Sequence, residues 1–285
     1  MRNLSSVSEV KEILKESGFR FSKSLGQNFL VDENVLSDII NGACITKDTN
    51  VIEIGPGFGT LTQQLCLNAK KVVAVEIDST VIPVLKQNTA EFNNLSVINA
   101  DILKTDINKL VENEFGGGTV KIAANLPYYI TTPIIMGLIE QELPISDIVV
   151  MIQKEVADRI AAKPSAKDYG ALTVAVNFYS VPQIIVNVPP SSFIPQPKVS
   201  SSVIKLQMRD KPPVDVKDKK MFFKVVKASF GQRRKTLLNA LSNSPSFAMG
   251  KDEISKMLES ISIDGRRRGE TLNMDEFANI ANNIR

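Results

Sequence analysis

The sequence predicts an α/β protein with a doubly wound, mostly parallel β-sheet of seven strands, followed by a small all-helical domain. Short runs rich in valine and isoleucine alternate with segments of helical spacing over residues 50–163. The runs are nearly continuously apolar, which is typical of parallel strands covered by helices on both faces. After residue 210 only short segments of helical periodicity remain.

Each element is predicted by its own local pattern. Residues 1–24 are predicted to form a polar, amphipathic helical extension, and residues 32–43 carry apolar side chains at helical spacing behind Asp32, which can cap a helix. Five strand segments then follow in the order NVIEIGPG, KKVVAVEID, LSVINAD, TVKIAAN and SDIVVMIQ. The helical segments between and after them are TLTQQLCLNA, STVIPVLKQNTA, ILKTDINKLVENE, TPIIMGLIEQ and KEVADRIAAK.

The remaining chain predicts two further strands, a linker and a helical domain. Residues 182–209 contain two strands around a proline-rich loop, and strands placed last in such a sheet are often antiparallel to the rest. The linker KPPVDVKD combines proline with charge. We therefore place the first domain at residues 1–210, including the extension, and a helical domain at residues 211–285. Four short helices are predicted there, KKMFFKVVKASF, RRKTLLNALS, DEISKMLESI and NMDEFANIANNI.

The composition excludes several kinds of chemistry. The 285 residues include no histidine and two cysteines, which excludes imidazole acid/base catalysis and a four-thiolate zinc site, so we expect no metal. Amides, carboxylates, backbone groups or a bound cofactor must do the chemistry. No apolar run approaches the roughly 20 residues that span a bilayer, and the N-terminal pattern is not that of a signal peptide. We expect a cytoplasmic protein.

Positive charge is concentrated near the C-terminus. Residues 211–285 carry 15 Lys/Arg and 9 Asp/Glu, a net +6, whereas residues 1–210 carry 19 and 22, a net −3. The surplus includes two basic clusters, Arg233, Arg234 and Lys235 in GQRRKTL, and Arg266, Arg267 and Arg268 in DGRRRGETL. Such clusters can bind RNA, but solvated helix faces are often basic as well. Charge alone leaves both interpretations open.

Residues at three successive strand ends predict a nucleoside site. The first strand ends in Gly55 and Gly57, which let the backbone turn sharply and approach a ligand closely. The second ends in Glu76, a carboxylate able to accept hydrogen bonds from both ribose hydroxyls. The third ends at Asp101, followed by Ile102, a pair placed to accept from an adenine amine and to cover the ring. Together they predict an adenosine compound.

The glycine loop indicates which adenosine compound. A cofactor bearing phosphates favours a helix N-terminus with a nearby Lys or Arg, but this loop contains Pro56 and Phe58 and no basic residue. Its spacing also differs from the G-x-G-x-x-G of dinucleotide binders. A sulfonium cofactor with an amino-acid tail tolerates an apolar loop and acidic neighbours. We therefore favour S-adenosylmethionine over NAD or ATP.

The stretch NLPYY predicts how a methyl group is accepted. Asn125 ends the fourth strand, and its side-chain oxygen and the Leu126 carbonyl could bind both hydrogens of a base's exocyclic amine. That would turn the nitrogen lone pair toward the methyl group. Pro127 restricts the conformation of Leu126 and so sets the direction of its carbonyl. Tyr128 offers a face on which a flipped base can stack.

Long motifs along the chain resemble one enzyme family. The segments SLGQNFL, EIGPGFGTLT, VEID, NAD, NLPYYIT, MIQKEVADRI, PSSFIPQPKV, FGQRRKTL and RRGETL are similar to those of KsgA-type small-subunit rRNA adenine dimethyltransferases. The resemblance implies a Rossmann-like class I methyltransferase domain with a C-terminal RNA-binding domain. It implies two methyl transfers to each of two adjacent adenosines near the 3′ end of 16S rRNA, late in subunit assembly. We expect a monomer that acts on the small ribosomal subunit and on no membrane.

The resemblance also implies roles for individual residues. Asn28 and Leu30 correspond to a segment that folds over the cofactor, and Phe193 to a ring that completes the target-base sandwich. The cofactor-binding positions it implies are Asn28, Leu30, Gly55, Gly57, Glu76, Ile77, Asp101, Ile102 and Asn125. Two residues depart from the usual pattern, Ser200 in place of aspartate and Gly269 in place of alanine. Both lie outside the predicted chemistry and bear on packing or RNA contacts.

Three other functions share features with this sequence. Resistance methylases of large-subunit rRNA share similar QNFL and NLPY motifs, but the long FGQRRKTL segment argues against them. A non-catalytic RNA-binding assembly factor on the same fold is disfavoured by the intact Asn125 and Glu76. A dehydrogenase is remote, because G-x-G-x-x-G is missing.

Overall fold

The computed structural model describes residues 3–17, 28–232 and 234–285. They form nine strands, β1 (Phe29–Leu30), β2 (Asn50–Ile54), β3 (Lys71–Glu76), β4 (Leu95–Asn99), β5 (Val120–Asn125), β6 (Ile145–Gln153), β7 (Ser180–Val188), β8 (Phe193–Ile194) and β9 (Ser201–Met208). They also form twelve α-helices, α1 (Val7–Ser17), α2 (Glu33–Gly42), α3 (Thr60–Asn68), α4 (Ile82–Asn88), α5 (Ile107–Phe115), α6 (Thr131–Ile139), α7 (Lys154–Ile160), α8 (Ala171–Tyr179), α9 (Lys219–Gly231), α10 (Leu237–Ser242), α11 (Lys251–Ser260) and α12 (Met274–Asn283). No helix in these ranges is long and apolar enough to cross a membrane.

The predicted fold class is confirmed. Seven strands form one sheet in the order β4-β3-β2-β5-β6-β9-β7. The pairs from β4 to β6 are parallel, and β9 runs antiparallel to β6. Because β3 and β4 lie on one side of β2 while β5 and β6 lie on the other, the strand order reverses between β2 and β5. Open α/β sheets bind ligands beyond the carboxyl ends of the strands at this point.

Apolar burial explains why these segments become strands. Val51, Ile52, Val72 and Val73 are fully buried, because helices cover both faces of the sheet and no face is left for polar side chains. Helix α2 begins where predicted, since the Asp32 carboxylate accepts hydrogen bonds from the backbone N–H groups of the first turn. The close packing of the sheet therefore holds the carboxyl ends of its strands in fixed positions.

The antiparallel partner of β6 introduces a buried charge cluster. Asp147 on β6 is 6% exposed and lies 3.1 Å from the Lys121 ammonium on β5 and 3.4 Å from that of Lys205 on β9. Ser146 donates a further hydrogen bond to the same carboxylate. One carboxylate thus pairs with two lysines that neighbouring strands bring to it.

A two-stranded ribbon, which was not predicted, lies outside the main sheet. Strand β1 pairs antiparallel with β8, with Leu30 opposite Phe193. Val31 N–H also donates to the Ser192 carbonyl, and the Ser192 hydroxyl donates to Asp32. These bonds fix residues 29–32, which directly follow Asn28 at the site.

The chain divides into two compact units, residues 1–157 with 181–208, and residues 158–180 with 209–285. The chain passes from the first unit to the second between residues 208 and 209, two residues before the predicted boundary at 210/211. Residues 158–180, however, were assigned to the first domain and group with the helical unit instead. The reason is aromatic packing, because Phe178 of α8 contacts the rings of Phe222 and Phe223 of α9.

The glycine that departs from the usual family pattern has a packing reason in the second unit. A Cβ atom built on Gly269 would lie 2.5 Å from the backbone oxygen of Ser229, which is 3% exposed on α9. No side chain fits that gap without moving backbone. Gly269 therefore belongs to the core packing between α9 and the 3₁₀ turn Gly269–Thr271.

Candidate active site

A cleft lies at the carboxyl ends of β2, β3, β4 and β5. It is lined by most of the predicted site residues, namely Asn28, Leu30, Gly55, Gly57, Glu76, Ile77, Asp101, Ile102, Asn125, Leu126, Pro127 and Tyr128. Among the described residues that line it there is no lysine or arginine. The parallel strands explain the convergence, since their carboxyl ends meet at one edge of the sheet.

The glycine loop leaves room for a ligand on one side and for a protein ring on the other. Gly55 has φ +67°, and a Cβ atom there would meet nothing within 4 Å, so its open side permits close approach. Gly57 has φ +56°, and its Cβ would lie 2.7 Å from the Phe29 ring. Phe29 stacks on Phe58 with centroids 4.1 Å apart. The segment at Phe29 is thus packed directly onto the loop.

Glu76 is the anchor of the loop at the end of β3. Its side chain accepts from Gly57 N–H at 3.2 Å and from Asp78 N–H at 2.8 Å. Burial raises the pKa of Glu76 above its ordinary value, with the backbone hydrogen bonds acting in the opposite direction. These bonds hold both carboxylate oxygens in place, and each oxygen has a further lone pair with which to accept from a ligand hydroxyl.

The end of β4 provides the far wall of the cleft. Asp101 caps the 3₁₀ turn Ile102–Lys104 through one oxygen, which accepts from Leu103 N–H at 3.0 Å. Its other oxygen lies 3.6 Å from Lys104, whose side chain is 84% exposed. Ile77 lines the rim and is itself 56% exposed. An apolar edge with one carboxylate fits the predicted adenine pocket.

Two consecutive residues at the end of β5, Asn125 and Leu126, each carry a candidate hydrogen-bond acceptor. The Asn125 amide nitrogen donates to the Asn28 carbonyl at 2.9 Å, which sets the orientation of the carboxamide, because only its NH₂ can donate. Leu126 N–H donates to the Met151 carbonyl of β6, so this peptide is also held in place. Within the described part of the chain, neither Asn125 Oδ1 nor the Leu126 carbonyl has a hydrogen-bond partner. Both residues line the cleft, so these two oxygens are the candidates for accepting hydrogen bonds from a ligand.

Tyr128 follows as the aromatic wall. Its hydroxyl is 2.8 Å from the Ser201 hydroxyl on β9, which fixes the direction of the ring. Burial raises the pKa of Tyr128, and the bond to Ser201 lowers it by less, so the phenol is neutral at ordinary pH. The ring, rather than any charge on the oxygen, is what this residue can offer to a ligand.

Phe193 is not placed at the cleft. Its ring is 1% exposed and packs in the core with Leu30, its partner in the β1–β8 ribbon. The ribbon, which was not foreseen, turns this side chain inward. The expectation that Phe193 completes a base sandwich is therefore not met in this structure.

Several residues that line the cleft were not predicted from the sequence, and three of them carry an aromatic ring or a charge. Phe29, Glu53 and Tyr129 also line the cleft, and Tyr129 is 60% exposed. Glu53 did carry a signal, because a carboxylate in the middle of the apolar run NVIEI has no structural reason to be there. The sequence carries no such signal for Phe29, because the position of its ring depends on the β1–β8 ribbon.

The second basic cluster is largely neutralised within the helical unit. The three arginines face carboxylates, Arg266 with Asp264, Arg267 with Glu276, and Arg268 with Glu270. Arg267 also donates to the Thr271 carbonyl at 2.7 Å, and Glu276 is the capping-box residue of α12. Arg267 thus stabilises the structure of this unit.

The first basic cluster has a different setting. Arg234 and Lys235 are exposed, and no ion pair engages them among the described residues. Arg233 lies outside the described residues. The exposed pair is the better candidate for contact with phosphates.

The family of the chain follows from its similarity to known proteins. A sequence profile described as ribosomal RNA adenine dimethylase matches residues 18–285. The chain belongs to this family. As a ribosomal RNA adenine dimethylase, it is a methyltransferase that takes methyl groups from S-adenosylmethionine, and its rRNA substrate, its enzyme class and its cofactor are confirmed.

Relatives of this dimethylase are similar over their full length. The chain is 53% identical to ribosomal RNA small subunit methyltransferase A of Clostridioides difficile (strain 630), covering 100% of this chain and 98% of that protein. It is 51% identical to the protein of the same name from Alkaliphilus oremlandii, covering 100% and 99%. Because the similarity covers nearly the whole of each chain, both units of this chain have counterparts in these proteins.

Two solved structures have the same fold as this dimethylase. A dimethyladenosine transferase from Plasmodium falciparum superposes with a TM-score of 0.74 at 28% identity, covering 88% of this chain and 95% of that one. The 23S rRNA methyltransferase ErmE superposes with a TM-score of 0.68 at 23% identity, covering 89% and 98%. The second likeness shows the fold alone.

Proposed function

We propose that this adenine dimethylase transfers two methyl groups to each of two adjacent adenosines near the 3′ end of small-subunit rRNA. The observation that carries the proposal is the pair of acceptors, Asn125 Oδ1 and the Leu126 carbonyl, which have no hydrogen-bond partner among the described residues and belong to residues that line the cleft. The choice of subunit is supported by relatives above 50% identity that are named small subunit methyltransferases.

The acceptor pair addresses the central chemical difficulty. The lone pair of an adenine exocyclic amine is delocalised into the ring, so the nitrogen is a poor nucleophile. Accepting hydrogen bonds from both N–H groups favours a tetrahedral nitrogen and turns its lone pair to one side. Pro127, with φ −59°, fixes the direction of the Leu126 carbonyl before substrate arrives. Preorganised acceptors need not reorient during the reaction.

The methyl donor and the target base must approach Asn125 from different sides. S-adenosylmethionine supplies a methyl group on a positively charged sulfur, and the open side of Gly55 with the carboxylates of Glu76 and Asp101 fits its adenosine part. The target base has to leave its stack to reach the cleft. Tyr128 provides a ring for it, and base stacking on an aromatic side chain contributes roughly 1–3 kcal/mol.

The substrate choice is tested with undermodified ribosomal subunits and methyl-labelled S-adenosylmethionine. We expect label in small-subunit RNA, recovered after nuclease digestion as dimethyladenosine, with two modified adenosines per subunit. Large-subunit particles from the same cells serve as the control. Label in adenosine of the large subunit with none in the small subunit would assign the chain to the resistance type of methylase.

A second test concerns the exposed cations of the helical unit. Replacing Arg234 and Lys235 by glutamine is expected to weaken subunit binding and to reduce the slope of log affinity against log salt by roughly 1–2, because each phosphate contact releases counterions. Lys251→Gln with Lys256→Gln, two exposed lysines on α11, removes the same charge from the same unit. An equal loss of slope in this control pair would place the RNA surface elsewhere.

A further inference from the structure

Tyr129 presents an open aromatic ring at the mouth of the cleft. It lines the cleft and is 60% exposed, and in the part of the chain that the structure describes it is the only exposed aromatic residue, every other tyrosine and phenylalanine there being buried or half-buried. Tyrosines with a free apolar face are enriched where proteins bind their partners. The proposed chemistry uses Tyr128 and leaves this second ring without a role.

The backbone that carries Tyr129 is held in place. Tyr129 is the middle residue of the 3₁₀ turn Tyr128–Ile130, which follows directly on the end of β5. The Pro127 carbonyl accepts hydrogen bonds from Ile130 N–H and from the Thr131 hydroxyl, both at 3.2 Å. The ring is therefore exposed on an ordered turn, so that it can meet a ligand without first folding into place.

The two consecutive tyrosines face different surroundings. Side chains one residue apart in a 3₁₀ turn point about 120° apart, because three residues complete a turn. The Tyr128 hydroxyl is bonded to the buried Ser201, whereas the Tyr129 hydroxyl has no hydrogen-bond partner among the described residues. One ring thus belongs to the wall of the cleft, and the next one faces solvent at its mouth.

The chemistry of the mouth favours a base over a phosphate as the partner of Tyr129. Among the described residues that line the cleft no side chain is cationic, and the exposed side chain of Ile77 adds apolar surface. Phosphates are held by Lys, Arg, polar side chains and backbone N–H groups, whereas bases stack on aromatic rings. An uncharged ring in this position therefore indicates a nucleobase.

The RNA substrate provides such a base. An adenine that leaves its stack to reach the cleft uncovers the face of the neighbouring base, at the point where the flipped nucleotide enters. We propose that Tyr129 stacks on the base next to the flipped adenosine and so holds the RNA at the mouth of the cleft. The inference rests on the proposed function, because it needs an RNA substrate with two adjacent adenosines, one of them flipped.

Removing the ring should weaken subunit binding without slowing the chemical step. Tyr129→Ala is expected to raise the concentration of undermodified small subunits that gives half-maximal single-turnover transfer by roughly 5- to 150-fold, the loss of one base–aromatic stack. The rate at saturating subunits should be nearly unchanged, and Tyr129→Phe, which keeps the ring, should match the unmodified chain. Leu67→Ala, at an exposed apolar position on α3 that does not line the cleft, is the matched control.

Substrates that lack one base show which base the ring contacts. Small subunits are reconstituted with rRNA in which one adenosine of the pair keeps its base and the other position is abasic, on the 5′ side in one set and on the 3′ side in the other. We expect that in one set the unmodified chain loses the same factor as Tyr129→Ala loses on intact subunits, and that the variant adds no further loss there. Such non-additivity identifies direct partners.

Three outcomes would overturn the assignment. A full Tyr129→Ala loss on both abasic substrates would show that the ring does not contact the neighbouring base. A fall by the same factor in the affinity for S-adenosylhomocysteine, measured by calorimetry without RNA, would place the ring against the donor instead. An unchanged half-saturating concentration in Tyr129→Ala would contradict the proposal directly. The proposed function is tested separately, by the labelling of small-subunit RNA with the unmodified chain.

Discussion

Replacing Asn125 by alanine is expected to lower the rate of methyl transfer by at least about 100-fold, the size of effect seen when one preorganised polar group is removed from a reacting centre. The variant loses the Oδ1 acceptor, and it also loses the amide donor to the Asn28 carbonyl. Only the Leu126 carbonyl would remain to orient the amine. Single-turnover transfer to undermodified small subunits measures the loss directly.

Subunit binding separates a catalytic role from a structural one. Asn125→Ala should bind the small subunit within a few-fold of the unmodified chain, because the exposed cations of the helical unit are untouched. Asn93→Ala, at an exposed position away from the cleft, is the matched control and should transfer methyl groups normally. If Asn125→Ala lost binding and transfer to the same degree, the assigned role would be wrong.

Replacing Asp147 by asparagine is expected to lower the free energy of unfolding by about 3–5 kcal/mol, the cost of removing one partner from a buried ion pair. Lys121 and Lys205, with side chains only 18% and 16% exposed, would keep their charges without a counter-ion. Urea unfolding followed by far-UV circular dichroism at pH 7 measures the change. Lys109→Met, which breaks the exposed pair with Asp106, should cost less than about 1 kcal/mol.

The pH dependence of this stabilisation follows from the pKa of Asp147. Burial alone would raise it, but the hydrogen bonds from Lys121 and Ser146 and the charges of both lysines hold it below its ordinary value. The stabilisation is therefore complete above the pKa of the unfolded chain, about 3.9, and is lost as pH falls through the folded-state pKa. An Asp147→Asn deficit under 1 kcal/mol at pH 7 would contradict the account.

The sheet and its strand ends are predictable because they depend on local patterns. Continuous Val/Ile runs that alternate with helical segments favour parallel strands buried on both faces, and parallel topology brings their carboxyl ends together. The sequence alone thus assigns Gly55, Glu76, Asp101 and Asn125 to one cleft. Helix α8 could not be predicted in the same way, since ALTVAVNFY is apolar on all sides and lacks helical periodicity.

What escaped prediction depends on contacts between distant segments. The β1–β8 ribbon pairs residues more than 160 positions apart, and it turns Phe193 into the core. Arg267 reads as a basic surface residue until Glu276 is seen opposite it. Residues 158–180 join the helical unit through aromatic rings that a linear pattern does not connect. In each case a tertiary contact overrides the arrangement that the local sequence pattern predicts.

The central claim is that two adjacent oxygens hold the exocyclic amine of a flipped adenine. The most direct measurement is a structure of the protein with S-adenosylhomocysteine and an RNA fragment that contains the target adenosines. The predicted result places the amine nitrogen within about 3 Å of both Asn125 Oδ1 and the Leu126 carbonyl oxygen, with the base against the Tyr128 ring. An adenine bound in the cleft with its amine directed away from these two oxygens would contradict the account.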